Sequence, residues 1–277
     1  MIIIEPYKGT KAVLVISDML WGLHTEKHIH NYFSEAKMLI SNTGSDVEYI
    51  MCCGNWSILQ NNFSKVCNII RKLFPQARLL STVGTYDLNW FKGPIEGRVK
   101  EFDKLLRQYD ISLLDGLQKP VMIGNNAFVG GIGWYDGCAL TNHQCHTMPK
   151  PQYWLKTLHN KEEIMYNANY ATLCREQLIK KIEASSEAES INVITHFPAF
   201  YRQLEIKQAN DDLFHYHPTL GFEILKYEKV KRVFSGHLRR LNIKKIKRIN
   251  GQCLYNIITT FRFDKQNSYC AVTALCP

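Results

Sequence analysis

The chain has 277 residues, of which 45% are hydrophobic and 21% charged, and its formal net charge is +9. That composition excludes a disordered chain and allows a substantial buried core. No apolar run reaches the roughly 18–20 residues of a membrane span. The first residues, Met1 to Pro6, lack the basic start and long apolar stretch of a signal peptide, so a cytoplasmic protein with no membrane partner is expected. Nine cysteines lie scattered through the chain, odd in number and without a CxxC pair. This argues against a disulfide framework and a zinc ribbon and favours small buried hydrophobes. The positive charge suits an anionic partner or a phosphate-bearing substrate.

Lys11–Ile16 is a continuous apolar run that ends in Ser17-Asp18. It reads as a strand buried on both faces that delivers a carboxylate at its exit. A loop carrying His24, His28 and His30 leads to a helix around Tyr32–Ile40. Val47–Cys53 is the next strand, closed by Gly54-Asn55-Trp56-Ser57. Ser57 can cap a helix running to Phe74, with Leu59, Phe63, Val66, Cys67 and Ile70 on one face and Pro75 ending it. A third strand, Ala77–Val83, breaks at Gly84-Thr85-Tyr86-Asp87. The alternation of strand, loop and helix predicts a largely parallel sheet built from βαβ units.

Further on, Arg98–Tyr109 reads as a helix and Val121–Ile123 as a strand that follows Pro120. Phe128–Trp134 carries three glycines, a pattern of close backbone approach. Residues 136–170 lack periodicity; His143, Cys145 and His146 within them match no structural zinc spacing. A helix over Asn169–Ala188 would turn Leu173, Leu178 and Ile182 inward. The strand through Asn192–Thr195 ends in His196-Phe197-Pro198. His215 and His217 precede a helix over Pro218–Tyr227, where capping or packing is the plain reading. The strand ending at Val233-Phe234 breaks at Ser235-Gly236 and presents His237, and a last strand spans Cys253–Phe261. Without a repeat or linker, residues 1–277 read as one domain.

Two strand ends that each deliver one imidazole, His196 and His237, point to a metal or phosphate site, because open α/β sheets gather ligands at such ends. In order, Asp18-Met19-Leu20, Gly54-Asn55, Gly84-Thr85-Tyr86-Asp87, Thr195-His196 and Gly236-His237-Leu238-Arg239 resemble the motifs of the calcineurin-like metallophosphoesterase family. Gly131–Asp136 also resembles a segment found in several of its members. The resemblance implies an α/β four-layer sandwich, with two mixed β-sheets packed face to face and flanked by helices. It also implies two metal ions at the strand ends and phosphoester hydrolysis by a metal-activated hydroxide.

Carried over by position, the metal set is Asp18, Asn55, His196 and His237. The substitutions weaken it. The family's His after Asp18 is Leu20, which has no lone pair, and its bridging Asp is Asn55. Its Asn and acid/base His are Thr85 and Tyr86, and a phenol is a weak acid or base near neutrality. Its last His is Arg239, a permanent cation.

Metal sites ordinarily need three or four good donors. The expectation is therefore a degenerate member without efficient dinuclear hydrolysis, acting as a phosphate- or nucleotide-binding or protein-interaction module. Thr85 and Arg239 would be its ligand-binding residues. Two alternatives stay open. One is a phosphoesterase with a mononuclear site, one Mn, Fe or Zn ion held by His196, His237 and Asp18, or with a site rebuilt by His24 or His28. The other is purely structural, with Asp18 paired to Arg239 or Arg240. The basic tract from Lys226 to Arg248 adds a surface for nucleic acid or an acidic protein.

Overall fold

The structure is a computed structural model that describes residues 2–4, 12–22, 25–42, 44–134, 161–200, 218–237, 242–258 and 271–272. The chain forms two compact units. The first comprises Met1–Leu117, Gly236–Leu241 and Ile258–Pro277; the second comprises Gln118–Ser235 and Asn242–Ile257. Among the described residues each unit holds one six-stranded mixed sheet.

The sheet of the first unit contains β1 (Ile2–Ile4), β2 (Ala12–Ile16), β3 (Val47–Cys52), β4 (Arg78–Ser81), β5 (Ile111–Leu113) and, from the C-terminal end of the chain, β12 (Ala271–Val272). Their order is β12-β1-β2-β3-β4-β5. The β2, β3, β4 and β5 strands run parallel, and β1 runs antiparallel to β2. All five residues of β2 are buried, as a continuous apolar run in a parallel sheet requires.

Four helices belong to this unit: α1 (Glu26–Ser41), α2 (Phe63–Leu73), the short α3 (Thr85–Leu88) and α4 (Ile95–Arg107). The α1 and α2 helices pack together, and α4 lies on β5. Phe63 anchors α2 in an aromatic cluster, with ring centroids 5.3 Å from Trp56, 5.7 Å from Trp90 and 5.1 Å from Tyr109. Arg71 near the end of α2 ties the neighbouring turns together by donating to the carbonyls of Ala77 and Asp110.

Two expectations about this unit change. The first helix starts at Glu26 rather than near Tyr32, because Thr25 caps it by accepting the His28 N–H. His28 and His30 therefore lie on a helix, not a loop. The second helix starts at Phe63 instead of Ser57. The Ser57 hydroxyl donates to the Trp21 carbonyl, and the Ile58 N–H reaches the same oxygen. This local pairing holds the backbone extended through Leu59, whose side chain is 60% exposed instead of on the core face.

The second unit's sheet has the order β10-β11-β9-β8-β7-β6. Its strands are β6 (Val121–Ile123), β7 (Asn126–Gly131), β8 (Ser190–Thr195), β9 (Val230–Ser235), β10 (Asn242–Lys247) and β11 (Cys253–Ile258). The β7, β8 and β9 strands are parallel. The α5 helix (Lys161–Glu183) and α6 (Pro218–Leu225) supply Leu178, Ile182, Leu220 and Ile224 to a core completed by Val129, Val193, Val233 and Leu254 of the sheet. Leu173, expected to face inward, is half exposed. It lies five residues from Leu178, about 140° around a helix of 3.6 residues per turn, whereas the buried Ala171 is in phase. The expected last strand ends at Ile258 among the described residues, and Thr259 to Phe261 lie outside them.

Candidate functional site

Within the first unit, the parallel register aligns Ile16 with Cys52 and Cys52 with Ser81, so three chain exits leave the sheet at one edge. Each exit turns sharply. Asp18, Leu20 and Asn55 all have left-handed backbones, with φ of 53°, 43° and 62°, and His237 joins them at 68°. Such conformations cost non-glycine residues free energy and persist only where surroundings impose them. Gly54 and Gly84 make the crowding feasible. A Cβ on Gly54 would stand 2.6 Å from the Gly84 nitrogen, and one on Gly84 would stand 2.3 Å from the Asn55 nitrogen.

Asp87 clasps these exits. Its carboxylate, wholly buried, accepts N–H groups from Asn55 at 2.8 Å, Trp56 at 3.0 Å and Gly84 at 2.9 Å. Burial pushes its pKa up to about 7; the three N–H donors oppose that rise and the charge of Asp18 adds to it. Burial also pushes the Cys52 thiol well above its ordinary value, which leaves it an inert filler.

At the centre lies a hydrogen-bonded chain. Asp18 is 1% exposed, and its Oδ1 accepts from Asn55 Nδ2 at 2.7 Å while its Oδ2 accepts from the His237 backbone N–H at 2.8 Å. The orientation of the Asn55 amide is fixed from its other end. The Tyr86 backbone N–H, which can only donate, reaches Asn55 Oδ1 at 2.9 Å, and the Thr85 hydroxyl approaches the same oxygen at 3.5 Å. The nitrogen of the amide must therefore face Asp18.

The structure thus brings together five residues singled out in the sequence: Asp18, Asn55, Thr85, Tyr86 and His237. His237 and Tyr86 take part through their backbone N–H groups. His196 belongs to the second unit, fully buried at the end of β8, with its ring centroid 5.0 Å from that of Phe197 and its N–H donated to the Ile132 carbonyl. His28 is half-buried on α1, and His30 is exposed there beside the Ser34 hydroxyl. Arg239 and Arg240, together with His24, His143, Cys145, His146, His215 and His217, lie outside the described residues. Among the described residues, no three His, Cys, Asp or Glu side chains converge as a metal-binding group.

Asp87 is the residue whose role the motif reading misses, although its place after Gly84-Thr85-Tyr86 signals it. Also unforeseen is Lys181, buried on α5 and donating to the Gly130 carbonyl at 3.0 Å near the end of β7.

No protein-family model matches the chain, and no curated protein sequence matches it. Among solved structures the chain is similar to phosphopantetheinyl hydrolase from Mycobacterium tuberculosis. The TM-score is 0.55 at 10% identity, with 92% of this chain and 90% of that one covered. It is also similar to a dimetal phosphatase from Danio rerio, with a TM-score of 0.51 at 10% identity over 89% of this chain and 86% of that one. The likeness is one of fold: the chain has the two-sheet α/β architecture of metallophosphoesterase-like proteins.

Proposed function

We propose that the chain is a degenerate metallophosphoesterase of the calcineurin-like type, which keeps the scaffold without efficient dinuclear hydrolysis and serves as a phosphate- or nucleotide-binding or protein-interaction module. The observation that carries this reading is the 2.7 Å hydrogen bond from the Asn55 amide to Asp18. Two buried carboxylates at this separation would repel each other and call for a cation between them. An amide removes that need. It donates to one Asp18 oxygen while the His237 N–H serves the other, and hydrogen bonds to a charged group are worth roughly 1.5–3 kcal/mol each.

The donors of the first unit do not fit a divalent ion. Leu20 has no lone pair, both Asp18 oxygens are engaged, and turning the Asn55 oxygen toward a metal would set its nitrogen against the Tyr86 N–H. A phosphate ligand is supported by the residue types: Thr85 offers a hydroxyl, and Arg239 a guanidinium suited to bidentate recognition. The solved structures of similar fold are named as a hydrolase and a phosphatase, in keeping with a phosphate-bearing ligand.

Residues 1–277 also work as one domain on this reading, since the chain passes between the two units repeatedly and neither is a contiguous segment. A cytoplasmic setting accords with the free thiols of Cys52 and Cys67.

Elemental analysis after manganese loading, with assay of a bis-aryl phosphodiester, tests the reading. Neither stoichiometric metal nor turnover is expected. Two ions per chain, with turnover lost in His196→Ala or His237→Ala, would overturn it. Calorimetric titration with phosphate should give heat in the wild type and none in Arg239→Ala. Asn55→Asp should lower stability in chelator by about 2–3 kcal/mol, read from denaturant midpoints, because it removes the amide donor and sets a second buried carboxylate against Asp18.

A further inference from the structure

From Lys229 to Phe263 the sequence contains ten basic residues and no acidic one. The structure sorts the described cations of this run into two groups. Some brace neighbouring chain segments. Arg248 is 7% exposed and donates to the carbonyls of Leu225 at 3.1 Å, Tyr227 at 2.8 Å and Val230 at 2.7 Å. Arg232 is half-buried and donates to Asn192 Oδ1 across the β8–β9 pair, and Lys229 donates to the Ser186 carbonyl. Lys231 lies on β9, and Lys245 and Lys247 stand on β10. Ile246 turns toward the core under α5 and α6, so positions 243, 245 and 247 turn the other way. Ile243, Lys245 and Lys247 are exposed, and Ile249 just past the strand is wholly exposed. Among the described residues β10 is the outermost strand of its sheet.

The outcome is a row of Ile243, Lys245 and Lys247 at two-residue spacing, about 6.8 Å per step, followed by Ile249 in the turn after the strand, on a strand that is outermost among the described residues. We propose that this edge accepts an acidic peptide in extended conformation as an added strand, with Asp or Glu residues opposite Lys245 and Lys247 and an apolar one beside Ile243. Backbone pairing supplies the affinity, and the side-chain row supplies the selection. A second copy of this chain is a poor occupant, since its own β10 would set lysine against lysine. Single-stranded nucleic acid is disfavoured because the stretch from Asn242 to Gln252 has no aromatic side chain on which bases could stack. A gatekeeping role alone would account for the lysines but not for the exposed isoleucines flanking them. The surface belongs to the second unit and does not depend on the Asp18 pocket of the first.

The test is fluorescence anisotropy at low salt with the full chain and a labelled Val-Thr-Glu-Thr-Glu-Thr-Val peptide, whose Val and Glu side chains share one face of a strand. Wild type should bind it, and the Lys245→Glu, Lys247→Glu double variant should bind about tenfold more weakly, as expected for two cross-strand pairs turned from attraction to repulsion. A Val–Lys peptide should show the reverse preference, which a merely unfolded variant could not. The proposal fails if wild type ignores the Val–Glu peptide. It also fails if a version with proline at alternate positions binds equally well, or if an oligothymidylate displaces the peptide at equal or lower concentration.

Discussion

The strand ends of the two units are locked by different physics. In the first unit the exits of β2, β3 and β4 are held by a buried carboxylate that collects N–H groups from two loops, and by an amide that bridges to a second carboxylate. In the second unit the exits of β7 and β8 are held by packing. The rings of Trp134 and Phe197 meet edge to face at 5.4 Å, and those of Trp134 and Tyr170 do so at 5.6 Å. An apolar lock is indifferent to protonation and tolerates partial loss. A polar lock in a dry setting is all or nothing, because an unpaired buried group costs more than a satisfied one gains.

Truncating the apolar lock should have the largest effect. Phe197 is fully buried, so Phe197→Ala should lower stability by about 3–5 kcal/mol, read from denaturant midpoints. A single denaturant transition in both proteins would accord with one cooperative domain; two separate transitions would divide the units.

Asp87→Asn should lower stability by about 2–4 kcal/mol at pH 5, because its amide nitrogen must confront one of three N–H donors. The pH profiles sharpen the contrast. The folded pKa of Asp87 is raised from 3.8 to about 7, so the folded state binds more protons than the unfolded one between those values. Its contribution is fully present below about 3.8 and is lost as pH rises through 7, by up to about 4 kcal/mol. Denaturant midpoints of the wild type should therefore fall from pH 5 to 8. Those of Asp87→Asn should be flatter, and a parallel fall in both would rule out Asp87 as the source.

The same division governs what the sequence reveals. Strands such as Val47–Cys53 and the run ending at Phe234 are readable because apolar stretches stop at Gly or Ser, and the residues just beyond them, Asn55 and His237, are readable with them. The start of α2 is not, since the Ser57 hydroxyl is taken by a carbonyl 36 residues away. Nor is β10, whose Asn-Ile-Lys-Lys-Ile-Lys pattern needs only one apolar row because it lies at an edge. At the site, residue identity is legible but direction is not. Which end of the Asn55 amide faces Asp18 depends on the Tyr86 N–H, 31 residues further along.

Gly84→Ala comes next in size, at about 2–3 kcal/mol. The new Cβ would meet Asn55 backbone nitrogen and side-chain oxygen, both at 2.3 Å, and neither is the free end of a flexible chain. Urea midpoints would register the loss. Near-equality with wild type would mean that the two loops separate more easily than their shared Asp87 clasp implies.

Thr195→Val should have the smallest effect, and it tests the contrast from the other side. The second unit also has polar ties at its strand ends, Lys181 to the Gly130 carbonyl and Thr195 between β8 and β9. Thr195 Oγ1 lies 2.9 Å from the Phe197 carbonyl oxygen, to which it donates, and 2.9 Å from the Ser235 hydroxyl. Valine keeps the shape and volume of threonine, so packing survives and only these bonds are lost. Neither partner is an ionised group, so neutral hydrogen-bond values apply, and about 1 kcal/mol is expected from denaturant midpoints at constant m-value. A loss equal to that of Asp87→Asn would mean that hydroxyl bonding, not ring packing, holds the second set of strand ends, and the distinction between the two locks would disappear.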